Sequence, residues 1–137
     1  MRPFSVTVHR ALNMKQTLDT WHQFVATQNP QLLERILAED CVFHSPVVWK
    51  PKVGRQMVTA ILTAASQIFS DFRYVREVID DQNAVLEFEA TVGELTVRGV
   101  DIIRFGDDGR VVDFEVMIRQ ANGLQAVGMA MAAQLDL

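Results

Sequence analysis

The chain has a single cysteine, Cys41, in 137 residues. No intrachain disulfide can form, and no site built on several cysteines can hold zinc. One thiol fits a reducing compartment, so a cytoplasmic location is expected. No apolar run approaches the ~20 residues of a membrane span. The opening segment, MRPFSVTVHRALNMK, lacks the continuous apolar stretch of a secretion signal. Positive charge is also scarce. Lys and Arg number 13 against 17 Asp and Glu, a net charge of −4. That is the wrong sign for a nucleic-acid face or for anionic lipid, so neither nucleic acid nor membrane is an expected partner. There is no glycine-rich phosphate loop, no dinucleotide fingerprint and no HExxH. His9, His22 and His44 do not have ligand spacing, so no metal is expected. Asp107-Asp108-Gly109 superficially suggests a calcium loop but lacks the later ligands and reads as a turn. No cofactor is expected. Repeats, low-complexity tracts and interdomain linkers are missing, and one domain spanning 1–137 is expected.

What is present is a series of periodic segments. Ser5–His9 is expected as a short extended arm. A helix is predicted from near Asn13, with Gln16 placed for a capping-box-like pair and Leu18, Trp21 and Val25 at helical spacing. Asn29-Pro30 puts a cap before proline at a first helical position. The short helix that follows is expected to end at Glu39-Asp40. Cys41–Ser45 reads as a short strand closed by Pro46. Val47–Gly54 reads as a loop, with Trp49 as a lid or pocket edge. Arg55–Phe69 has the wide apolar stripe of a third helix.

From Asp71 to Arg119 the pattern is an antiparallel meander. Its strands are Phe72–Ile79, Ala84–Val92, Glu94–Phe105 and Arg110–Arg119, joined by tight turns. Asn122–Leu135 is predicted as a last helix, opened by a cap-like Asn122 and Gln125 and weakened by Gly123 and Gly128. The order gives an α+β fold. A cone-shaped curved antiparallel sheet is expected to wrap around the N-terminal helices, with a C-terminal helix besides. The wide end of such a cone is where a ligand cavity belongs.

One residue breaks the apolar pattern. On Glu94–Phe105, Asp101 alternates with Leu95, Val97, Gly99, Ile103 and Phe105, so it shares their face. A carboxylate there is costly unless it is hydrogen-bonded, protonated or open to a cavity. Either Asp101 is structural or it points into a pocket.

LLERILAEDCVFHSPV, the helix start GRQMVTAIL and RGVDIIRFGDDGRVVDFEV together resemble the nuclear-transport-factor-2-like superfamily, in its SnoaL-like and ketosteroid-isomerase-like branch. The resemblance runs from about the first helix to Arg119. It implies a cone-shaped α+β fold and a homodimer. Members include isomerases, cyclases, dehydratases, epoxide hydrolases and domains without known activity. By this resemblance Asp101 falls where steroid-isomerase-like members keep a protonated aspartic acid in an oxyanion hole. Ser45 falls where they place a carboxylate base, and serine has no comparable basicity. Trp21 falls about where they place a tyrosine. The epoxide-hydrolase arrangement of two aspartates with an arginine is poorly matched, because Arg98 alternates away from Asp101.

Asp101 is therefore the catalytic candidate. Trp21, Val25, Phe43, Ser45, Trp49, Tyr74, Phe88, Phe114, Val116 and Ile118 are expected pocket lining, against the alternative of plain core. Tyr74 is expected to share a face with Phe72 and Val78. His44 is a possible acid or base, although it alternates away from Phe43 and Ser45. The expected function is binding of a small apolar molecule, with isomerisation, cyclisation or dehydration through Asp101. The alternative is a non-catalytic binding or dimerisation module.

Overall fold

The computed structural model describes residues 13–135. The expected arm at Ser5–His9 lies outside them. The elements run α1 Met14–Thr27, α2 Pro30–Ile36, β1 Leu37–His44, β2 Lys52–Val53, α3 Arg55–Ile68, β3 Ser70–Asp80, β4 Asn83–Val92, β5 Leu95–Phe105, β6 Val111–Arg119 and α4 Ala121–Gln134. The six strands form one curved sheet in the order β2-β1-β6-β5-β4-β3. Among the described residues no helix is long and apolar enough to cross a membrane.

Local chemistry accounts for the helix starts. The Asn13 side chain accepts from the Gln16 backbone and the Gln16 side chain accepts from the Asn13 backbone, a reciprocal capping box on α1. Asn29 caps α2 ahead of Pro30. Gly54 opens α3 at φ 107, a conformation that favours glycine, and its N–H donates to the Cys41 carbonyl at 2.8 Å. The last helix departs from expectation. It begins at Ala121, and Asn122 bonds the adjacent Gly123 N–H inside the first turn instead of capping it.

The sheet is mixed where an antiparallel one was expected. β1 runs parallel to β6, with Phe43 opposite Phe114 and His44 opposite Glu115. That pairing takes up the backbone from Leu37 onwards, so α2 stops at Ile36 and the strand is longer than Cys41–Ser45. The loop after it contains β2, which pairs with Val42 and Phe43.

The core fills the hollow of the sheet. Phe24, Leu33, Ile36, Leu86, Ile103 and Phe114 are all fully buried. Such side chains contribute about 1.5–3 kcal/mol each relative to exposure. The Thr17 hydroxyl, buried as well, donates to the Gly109 carbonyl at 2.6 Å and ties α1 to the β5–β6 turn. Gly99 permits a close approach: a Cβ there would overlap the Phe88 ring and stand 2.6 Å from the Met117 carbonyl. The outer face carries an ion-pair ladder in which Arg76 and Arg98 reach Glu87, at 2.9 and 3.5 Å, and Arg73 and Arg98 reach Glu89.

Candidate active site around Asp101

Alternation along β5 buries Val97, Gly99, Asp101, Ile103 and Phe105 together. Asp101 is only 4% exposed, between Leu86 of β4 and Val116 of β6. Its Oδ2 accepts a hydrogen bond from the Tyr74 hydroxyl at 2.5 Å. The Tyr74 oxygen in turn accepts from the Trp21 indole N–H at 2.8 Å. The sequence of donors is one-way: indole to phenol, phenol to carboxyl. Oδ1 has no hydrogen-bond partner among the described residues.

A bulge brings Tyr74 to this position. From the β3–β4 turn outwards the pairs are Val78 with Val85 and Arg76 with Glu87, both on the outer face. The register then shifts, and Tyr74 meets the inward Phe88. Val75 is the extra residue. Tyr74 therefore does not share a face with Val78, as simple alternation suggested; it faces inwards with Phe72, whose ring meets it edge-on at 5.1 Å.

Burial sets the proton chemistry. Desolvation pushes the Asp101 carboxyl from 3.8 up to about 7, and the hydrogen bond from Tyr74 tempers the rise. Desolvation and then the Asp101 charge push the Tyr74 hydroxyl well above its ordinary value, so it remains a donor. Near neutral pH Asp101 can thus serve as a hydrogen-bonding acid or, once ionised, as a base. Burial pushes the Cys41 thiol up to about 11, which leaves it a poor nucleophile.

Asp101 opens on a cavity of about 410 Å³, lined by Trp21 and Val25 of α1, Leu62 and Ala65 of α3, and Phe69 and Phe72. A second, more apolar chamber of about 250 Å³ lies under α4. Leu62, Ala65 and Phe69 line both and form the wall between them.

The expected site residues are thus divided. Trp21 and Val25 line the chamber of Asp101; Phe43, Ser45, Val116 and Ile118 line the second. The Ser45 hydroxyl accepts from the Val47 and Val48 N–H groups and holds a turn there. Tyr74, Phe88 and Phe114 line neither chamber. Phe88 stacks on Phe72 at 4.8 Å and Phe114 meets the Trp21 ring at 5.0 Å. Trp49 lines neither chamber and is 96% exposed, so it is not at a pocket edge. His44 pairs with Asp113 at 2.9 Å and lines neither chamber. The sequence reading missed the Tyr74–Asp101 contact and the lining roles of Phe69, Phe72 and Asp71. Hairpin counting from the Gly93-Glu94 turn predicts Asp101 opposite Leu86. The bulge that completes the link to Tyr74 has no sequence signal.

A curved six-stranded sheet wrapped over helices, with a C-terminal helix, is the cone-shaped architecture of nuclear-transport-factor-2-like folds. The chain belongs to the SnoaL-like domain family, whose model matches residues 18–114. It is similar to a steroid delta-isomerase from Pseudomonas aeruginosa, with 45% identity over 90% of this chain and 92% of that one and a TM-score of 0.88. It is also similar to an uncharacterised protein with a cystatin-like fold from Silicibacter pomeroyi, with 36% identity over 90% and 88% and a TM-score of 0.85. A hypothetical protein from Catenulispora acidiphila with a ketosteroid isomerase-like fold shares the architecture at 11% identity, over 82% of this chain and 92% of that one, with a TM-score of 0.63. Among curated proteins none matches.

Proposed function

We propose that the protein binds a small apolar carbonyl compound in the Asp101 chamber and isomerises it. The observation that carries this reading is the buried Asp101 carboxyl, fixed by Tyr74 on one oxygen and free on the other. A carboxyl with a pKa near working pH is suited to general acid–base work. The apolar walls desolvate it and position the substrate. The similarity to a steroid delta-isomerase supports the same class of chemistry. Cyclisation and dehydration are the neighbouring reactions that one such acid can serve.

A second reading is a non-catalytic binding module. It is favoured by Ser45, whose hydroxyl is committed to the Val47–Val48 turn at the position where the resemblance implies a base. Turnover of a panel of apolar ketones, compared between wild type and Asp101→Asn, separates the two. The enzymatic reading expects activity that the variant loses while staying folded. Equal activity in the variant removes Asp101 from the chemistry. Ligand that raises the melting temperature and is recovered unchanged favours the second reading. The proposed partner is a second copy of the chain on the outer sheet face, where Val78, Val85 and Met117 remain exposed. The proposed compartment is the cytoplasm, in keeping with the free thiol of Cys41.

A further inference from the structure

The second chamber, under α4, carries one charge, and that charge is positive. Of the residues lining it, Lys52 alone is charged and Ser45 alone is otherwise polar. Strand register explains how a lysine comes to stand there. β2 is two residues long and pairs only with β1, with Lys52 opposite Phe43 and Val53 opposite Val42. Cross-strand partners share a face of the sheet, and Phe43 is buried and lines the same chamber. Lys52 is accordingly half-buried on the inner face, while Val53 is exposed. Lys52 has no ion pair among the described residues, and no acidic side chain lines the chamber to answer it. The Ser45 hydroxyl accepts from the Val47 and Val48 N–H groups, which leaves its own proton to donate. The other walls are apolar, with Ile61 and Ile68 of α3, Val116 and Ile118 of β6, and Val127 and Met131 of α4. The chamber of Asp101 is the converse, since its only ionisable lining residues are the acids Asp71 and Asp101. An inward charge on an edge strand can serve merely to discourage sheet edges from pairing. Such a guard needs no hollow beside it, whereas Lys52 borders about 250 Å³.

We propose that this chamber binds a short monocarboxylate with an apolar body, its carboxylate on the Lys52 ammonium and the Ser45 hydroxyl and its chain under α4. The unpaired cation selects the anion, and the apolar walls select the chain. A hydrogen bond between ammonium and carboxylate is among the stronger kinds. Lysine lays its stem along apolar surface while its head stays in water. The carboxylate therefore keeps part of its hydration, and little is lost in bringing it to the site. Each methylene that enters the chamber adds about 4-fold in affinity. The volume of about 250 Å³ lies below the ~300–1,000 Å³ usual for drug-sized ligands, so the body is short. The Asp101 chamber offers the same anion two acids and no cation. The two chambers thus suit different molecules on either side of Leu62, Ala65 and Phe69. This site stands apart from the isomerase reading, and neither needs the other.

The test titrates the full chain at pH 8 with octanoate, octanamide and octylammonium, which share a tail and differ in charge. Calorimetry reads the affinities, and NMR locates the tail. Octanoate is expected to bind roughly 10-fold or more tighter than octanamide, with octylammonium weaker still. Lys52→Gln should remove the advantage of octanoate and leave octanamide unchanged, while Lys52→Arg should keep it. Ala132→Phe fills this chamber from α4 and should abolish octanoate binding. Asp101→Asn alters only the other chamber and should leave it unchanged. Intermolecular NOEs are expected between the octanoate chain and the Met131 methyl. Octanoate held no tighter than octanamide, or undiminished by Lys52→Gln, overturns the role of Lys52. Octanoate binding lost in Asp101→Asn but kept in Ala132→Phe places the ligand in the other chamber and overturns the site. No octanoate binding at millimolar concentration also overturns it and leaves Lys52 as a guard of the sheet edge. None of these results bears on turnover of ketones in the Asp101 chamber.

Discussion

Replacing Asp101 by asparagine separates what the acid does for chemistry from what it does to stability. Asparagine has nearly the same shape and keeps an oxygen to accept from Tyr74, but it cannot ionise. In the wild type burial pushes the folded carboxyl from its ordinary 3.8 up to about 7. The folded state therefore holds its proton across a range in which the unfolded chain has already lost it. Stability from this group is fully present below about pH 4 and is lost as pH rises through about 7. The full loss is about 4 kcal/mol, of which roughly 2.5 kcal/mol falls between pH 5 and 8. Every other ionisable group is common to both proteins and cancels in the difference. Any fixed offset from the amide itself also appears equally at both pH values. Urea denaturation of wild type and Asp101→Asn at pH 5 and pH 8 reads this directly. The variant is expected to gain on the wild type by roughly 2.5 kcal/mol between the two conditions. A stability difference that stays constant from pH 5 to 8 refutes the assignment of a raised pKa to burial.

Four further outcomes are expected. Tyr74→Phe removes the hydrogen bond that lowers the Asp101 pKa, so the Asp101 titration followed by 13C NMR should move to higher pH; a move to lower pH contradicts the geometry. Gly99→Ala should destabilise by about 1–3 kcal/mol, because the added methyl overlaps Phe88 and the Met117 carbonyl; thermal melts read the loss. Trp49→Ala should leave stability within about 0.5 kcal/mol and leave ligand-induced Tm shifts unchanged, since this residue is exposed and away from both chambers. On the proposed pairing through the outer sheet face, Met117→Glu should shift sedimentation from dimer to monomer, and a wild type that is monomeric at micromolar concentration excludes the pairing altogether.

Much of the architecture was legible because it follows from local periodicity. The alternation of Ala84, Leu86, Phe88, Ala90 and Val92 is the inner face of β4, and all five are buried. Asn13 with Gln16, and Asn29 with Pro30, marked two helix starts that the hydrogen bonds reproduce. Asp101 stood out by parity alone. The parallel β1–β6 pair was not legible, because nothing in Leu37–His44 names a partner that lies more than 60 residues away in the chain. The Trp21–Tyr74–Asp101 link was not legible, although all three were expected at the pocket, because strand parity does not give the register of β3 against β4. Parity arguments assume an unbroken ladder, and one extra residue at Val75 moves every side chain before it to the other face. Trp49 misled for a different reason: a large apolar side chain on a loop suggests burial, yet its neighbours Lys50 and Pro51 are exposed as well.

The wall of Leu62, Ala65 and Phe69 has a consequence for how such a scaffold diverges. Two of these residues sit on α3 and the third directly follows it, and none takes part in the hydrogen-bond chain to Asp101. A larger side chain at position 65 shrinks both chambers at once, whereas a smaller one at 69 merges them. Molecular size can therefore be retuned at three positions while the acid and its donor stay fixed. On the proposed function, selectivity and reactivity occupy different elements of the fold, so one can drift without the other.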